Sequence, residues 1–177
     1  AIDRKVILDY YRQHYTPENV VISVAGNIDY QQVFSSLEKI FGHWSSDSKN
    51  KNRQEPPVPR SGEVYYHKDT EQVHLCLGTP SISQEDERIY AMIVLNSIIG
   101  GGLSSRLFQE IREERGLVYS IYSYHSSYID AGLFSIYAGT GINNTKEVVR
   151  LVLKELSQIR DKGITEDELV RVREQIK

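Results

Sequence analysis

Apolar positions recur along this chain with two different periods, and the switches between them lay out its elements. Residues 3–14, DRKVILDYYRQH, place Val6, Ile7, Tyr10 and Tyr11 at helical spacing, which predicts a short amphipathic helix. Pro17 cannot continue that helix. The next run, VVISVAGNI (Val20–Ile28), is rich in β-branched residues and bounded by turn formers, so it predicts a buried strand. Asp29 then stands as the cap of YQQVFSSLEKIFGHW, where Val33, Phe34, Leu37, Ile40 and Phe41 form one apolar stripe.

Residues 45–60, SSDSKNKNRQEPPVPR, lose the periodicity altogether and end in prolines that favour extended backbone, which marks a linker. Two strands follow in GEVYYHK and QVHLCLGTP, then a long helix opening at Ser83 with Asp86 in the capping-box position and ending at Gly100–Gly102. A further helix is predicted from about Ser104 to Arg115. Strands at about 117–127 and 130–138 come next, joined near YIDAG. Asn144 with Glu147, and Thr165 with Glu168, have the spacing that opens helices, and the last of these is still in register at Lys177. Strands that come as antiparallel pairs beside paired helices predict an α+β fold, an antiparallel sheet with paired helices on one side. Neither a GxGxxG nor a Walker-type loop follows any strand, so a nucleotide-binding doubly wound fold is not indicated.

Composition narrows the chemistry. The 177 residues carry a net charge of −3 with both signs interspersed, which gives no electrostatic footprint for nucleic acid or an anionic membrane surface. The apolar runs are strand-sized, shorter than the roughly 18 residues of a membrane span. Cys76 is the single cysteine, so no internal disulfide can form, and with no leader segment visible the expectation is a cytoplasmic location. A start at Ala1, a single internal methionine (Met92) and a last helix without a cap point to a piece of a longer protein.

Sites for metal or nucleophilic chemistry are sparse. The five histidines include no pair four apart on a helix and no HExxH or its inverse. His74 and Cys76 share one face of a strand, two ligands where zinc needs three or four. There is no GxSxG elbow, and Cys76, inside an apolar strand, reads as an inert thiol. The acidic pairs on helices, Glu113–Glu114 and Glu166–Asp167–Glu168, are explained by solvated faces and a cap.

Two features remain. The Gly100–Gly102 loop reads either as a tight turn needing positive φ or as backbone open to a substrate. In IREERGLVY, Gly116 permits a reversal between Arg112 and Tyr119. A guanidinium fork and a phenol suit a carbonyl or developing oxyanion, and neither is a nucleophile or base near neutral pH. The same two residues also read as a solvated helix charge and a strand aromatic.

The run GGGLSSRLFQEIREERGLVYSIYSYH closely resembles the second-half signature of the zinc peptidases of the insulinase, pitrilysin and mitochondrial processing peptidase family, most of all its bacterial processing-protease branch. YYRQHYTPENVVISVAGNID resembles the close of that family's first half, and TEQVHLCLGTPSISQEDERIYAMIVLNSIIGGG the opening of its second. The resemblance implies two similar halves closing as a clam-shell around a chamber, so that residues 1–44 are the tail of the first half, 45–60 the linker and 61–177 most of the second. It implies a metalloendopeptidase that hydrolyses extended peptides, bound partly by strand addition. Zinc would be held by an HxxEH motif and a later glutamate outside this chain, which would be inactive alone. By position, the family's Arg/Tyr pair is Arg112 and Tyr119. Tyr119 would donate to the oxyanion, Arg112 would hold substrate backbone, and Gly100, Gly101 and Gly102 would line the chamber. The implied partners are the first half or a zinc-bearing subunit, in a dimer. The alternatives are a non-catalytic or structural subunit of the same family, and a domain that binds peptides without catalysis. If 45–60 is a linker, limited proteolysis cuts there first; resistance of that stretch would argue for one compact domain.

Overall fold

The computed structural model describes residues 2–45 and 55–176, and the chain divides into two compact units with the boundary between Glu55 and Pro56. Residues 46–54, most of the expected linker, lie outside the described residues.

In the first unit, helix α1 spans Arg4–His14 and helix α2 spans Tyr30–Phe41, joined through a 3-10 turn at Pro17–Asn19. Both helices are capped by aspartate, at Asp29 as expected and at Asp3 as well. Asp3 Oδ1 accepts from the Val6 N–H at 2.9 Å, and Asp29 Oδ1 from the Gln32 N–H at 2.8 Å. The strand expected at Val20–Ile28 does not form: the segment is irregular and unpaired, with a bend at Gly26–Asn27, and Val21 is 94% exposed. A strand needs a hydrogen-bonding neighbour, and no described residue supplies one to this segment.

The second unit is built on three antiparallel strands, β1 (Val73–Ser81), β2 (Val118–Ser127) and β3 (Gly132–Thr140), in the order β1-β3-β2. β2 and β3 form the expected hairpin, closed by the Tyr128 N–H donating to the Ala131 carbonyl at 2.7 Å. GEVYYHK was expected as a strand; it too is unpaired, and Tyr66 is 91% exposed. Helix α3 runs Ile89–Gly100, starting later than the expected Ser83. Asp86 spends its carboxylate on the Arg88 backbone and guanidinium, so the chain turns there and the helix begins only at Ile89. The helix expected at 104–115 is widened into a π-helical segment at Phe108–Glu113, in which the Glu114 N–H reaches back five residues to the Gln109 carbonyl at 2.9 Å.

Helix α4 (Thr145–Lys162) buries Val148, Leu151, Val152 and Glu155, the i, i+3, i+4, i+7 stripe of an amphipathic helix. Asn144 precedes it without making a cap; its amide reaches the Leu117 carbonyl instead. Val148, Leu151 and Val152 of that stripe pack with Ile99, Leu107 and Ile111 against Val118, Ile121, Phe134, Ile136 and Ala138 on the inner face of the sheet. The helices thus cover one side of the sheet, as the α+β reading anticipates. At 25 cal/mol per Å², burying each such side chain stabilises by about 1.5–3 kcal/mol.

Helix α5 (Glu166–Ile176) opens with the expected capping box: Glu168 Oε2 accepts from the Thr165 N–H at 2.8 Å, and Thr165 Oγ1 accepts from the Glu168 N–H at 3.3 Å. The same carboxylate takes a two-pronged ion pair from Arg106, at 2.5 and 2.7 Å, and Arg106 also donates to the Gly163 carbonyl at 3.3 Å. The Arg106 hydrogen bonds, with those from Thr165, hold the Glu168 carboxyl down to about 2. A depressed folded-state value means that the ionised carboxylate stabilises the fold above 4.5 and that this contribution fades as pH falls towards 2. The stability difference between the wild-type chain and Glu168→Gln, from urea unfolding, therefore shrinks between pH 4.5 and about 2. A difference that stays constant over that interval would show that the pair does not couple to folding.

Candidate functional site

The candidate residues lie along the stretch from α3 to β2, at the joins on either side of the π-helical segment. The first is the glycine loop at the end of α3. Positive φ is not the reason for its glycines, contrary to the tight-turn expectation, because none of Gly100, Gly101 and Gly102 adopts it. Gly100 is required by proximity: a Cβ there would sit 2.5 Å from the Ser123 nitrogen on β2. Gly101 is similarly crowded, 2.7 Å from the Ser97 Cα, whereas at Gly102 the nearest atom is the Gln175 side-chain nitrogen at 3.5 Å. Ser123 seals the contact by donating to the Asn96 side chain at 2.9 Å. The three glycines, Leu103, Phe108 and Tyr122 line an open groove of about 400 Å³ beside β2.

The second connection carries Arg112 and Tyr119. Arg112 lies on the π-helical segment, and its guanidinium rests over the Phe108 ring, 4.9 Å from the centroid. Gly116 has φ +62°, the left-handed conformation that the expected reversal needs. Its N–H donates to the Arg112 carbonyl at 3.1 Å, and the Leu117 N–H to the Ile111 carbonyl at 3.0 Å. β2 then begins with a bulge. Val118 pairs with Thr140 and Ser120 with Gly139, so Tyr119 is the extra residue with no partner of its own. Tyr119 is 64% exposed and Arg112 is exposed as well. Two backbone irregularities, a π-helical segment and a bulge, therefore flank Gly116 and carry the two candidate side chains into solvent.

The outer face of the sheet is open and aromatic. Tyr122 stacks on Tyr137 with centroids 4.9 Å apart, and the Tyr137 hydroxyl lies 2.8 Å from His74 Nδ1. Cys76 pairs with Tyr137 on this face and is exposed, so it is not the enclosed thiol that its apolar neighbours suggested; alternation along β1 turns it outward. Zinc does not fit here. His74 is engaged with Tyr137, and among the described residues no three His, Cys, Asp or Glu side chains converge.

The chain matches the peptidase M16 inactive domain over residues 1–176. It belongs to that family. It is 44% identical over 168 residues to an uncharacterized zinc protease of Bacillus subtilis (strain 168), covering 95% of this chain and 41% of that protein. Identity to an uncharacterized zinc protease of Rickettsia felis is 38% over 180 residues, covering all of this chain and 42% of that protein. The chain thus spans about two-fifths of the length of these relatives. Among solved structures, the peptidase M16 inactive domain from Pseudomonas fluorescens superposes with a TM-score of 0.84 at 23% identity, over 99% of this chain and 43% of that one. A chain of complex III2 from Candida albicans does so with a TM-score of 0.78 at 20% identity, again over 99% and 43%. At such identities the likeness is one of fold.

For this M16 domain, sequence reasoning missed the support beneath the pair. The i, i+4 spacing of Phe108 and Arg112 was a usable signal. Nothing in the spacing could announce the bulge or the Tyr122–Tyr137–His74 ladder, which depend on strand register. No helix among the described residues is long and apolar enough to cross a membrane. Gly100→Ala should destabilise the domain by about 1–3 kcal/mol through overpacking. Urea unfolding checks this, and unchanged stability would mean that α3 and β2 are not held at that distance.

Proposed function

We propose that this chain is the half of a zinc-dependent endopeptidase that lacks the metal and supplies Arg112 and Tyr119 to the active site, the zinc being held by residues outside it. The observation that carries the proposal is the exposed pair on two irregular backbone segments joined through Gly116. A regular helix and a regular strand would serve stability as well; the π-helical segment and the bulge serve projection. Zinc, when bound in the intact enzyme, supplies Lewis-acid activation of water and carbonyl. Tyr119 donates its O–H to the scissile carbonyl oxygen, and this bond strengthens as charge develops there. Arg112, braced on Phe108, offers its planar fork to a neighbouring carbonyl of the peptide backbone.

The substrate class is an extended, unstructured peptide. The groove beside Gly100–Gly102 and the open aromatic face of the sheet have the shape and polarity for it. The partner is the zinc-bearing half, in the same polypeptide or in a second subunit as part of a dimer, and the activity proposed is that of a processing protease. A structural role beside a metal-bearing subunit is the second reading; the fold likeness to a chain of complex III2 favours it.

Tyr119→Phe in the full-length protein, assayed on a quenched fluorescent unstructured peptide, separates these readings. The expected result is a fall in kcat of about 10²–10³-fold with KM little changed, as for removal of one oxyanion donor. Full activity in the folded variant would sink the assignment, and a wild-type protein inactive with its partners present would favour the structural role.

A further inference from the structure

Leu117 joins the segment bearing Arg112 to the strand bearing Tyr119, and both of its peptide groups are held. Its N–H donates to the Ile111 carbonyl at 3.0 Å. Its carbonyl accepts from the Thr140 hydroxyl at 2.6 Å and from Asn144 Nδ2 at 3.5 Å. Thr140 is 0% exposed and stands opposite Val118, where the bulge inserts Tyr119. A fully buried hydroxyl at the end of a strand costs free energy unless it is bonded, and valine would fill the same volume in a favoured strand conformation. The hydroxyl therefore has work to do, and its one hydrogen bond goes to the peptide that leads into the bulge.

Resting on the reading of Tyr119 as oxyanion donor, we propose that Thr140 is a positioning residue, whose hydroxyl clamps the Leu117 carbonyl and so sets where Tyr119 projects relative to Arg112. The clamp works together with the Leu117 N–H bond to Ile111. One holds the connection to β3, the other to the π-helical segment, and Gly116 at φ +62° supplies the bend between them. Without the hydroxyl, the carbonyl keeps only the long Asn144 contact, and a buried carbonyl short of donors turns to find another. The Leu117–Val118 peptide then rotates, and Tyr119, which has no partner across the sheet, moves with it.

The test compares Thr140→Val, Thr140→Ser and Thr140→Cys with Tyr119→Phe in the full-length protein, using the quenched fluorescent peptide and amide hydrogen exchange. Thr140→Val is expected to lower kcat at least about tenfold with KM little changed, since small misplacements of a catalytic group are costly. Thr140→Ser, which keeps the hydroxyl, stays close to wild type. Thr140→Cys, with similar volume and a weak donor, falls between them and serves if the valine variant fails to fold. Exchange at amides 117–120 should quicken in Thr140→Val, or in Thr140→Cys if only that folds, while 121–127 keep their protection. An impaired Tyr119→Phe beside a fully active Thr140→Val overturns the proposal, as do a serine variant as damaged as the valine one and unchanged exchange at 117–120. A fully active Tyr119→Phe overturns the endopeptidase reading instead, and the exchange measurement still decides whether the clamp exists.

Discussion

Because β3 is hydrogen-bonded along both of its edges, to β1 over Val73–Ser81 and to β2 over Val118–Ser127, it is the strand on which the second unit depends. Its inward residues Phe134, Ile136 and Ala138 present an apolar surface, and α4 and the Leu107–Ile111 segment close over it. Every other placement follows from that layer. α3 must lie against β2, so Gly100 has no room for a side chain. The π-helical segment must bury Ile111, so Arg112 is turned outward. The bulge keeps Val118 in the core while Tyr119 leaves it.

The same layer leaves the opposite face of the sheet uncovered, and there the residues are aromatic and polar rather than charged: Tyr122, Tyr124, Tyr137, His74, Ser120. A surface of this kind offers area and hydrogen bonds with little commitment to one sequence, which suits a peptide held in extended form. Arg112 and Tyr119 stand at one end of β2 and the glycine loop lies alongside, the placement on which the proposed endopeptidase role rests. Among the described residues no three His, Cys, Asp or Glu side chains converge, and the histidine on the sheet face is bonded to tyrosine.

Much of the fold was legible. The amphipathic stripe of α4, the caps at Asp29 and Thr165, and the β2–β3 hairpin all rest on interactions between residues close in sequence. Misreadings share a cause. Val20–Ile28 and GEVYYHK have strand composition, yet pairing is a property of two segments, and the described residues supply no second one. Ser83–Asp86 has a capping-box spacing, but Arg88 competes for the same carboxylate. The Arg112/Tyr119 candidates were reachable through the motif around Gly116. The contact of Thr140 across the sheet was not, since Thr140 lies 23 residues from its partner Leu117.

By itself, then, the sequence determined the periods, the caps, the reversal at Gly116 and the family signature, because each is set by local sterics or by residues within a turn or two of one another. Only the tertiary structure decided strand order, the register that makes Tyr119 a bulge residue, the close approach at Gly100 and the outward position of Cys76. Those depend on which distant segments meet, and a shift of one residue in strand pairing would have turned the strand side chains, Cys76 among them, to the other face.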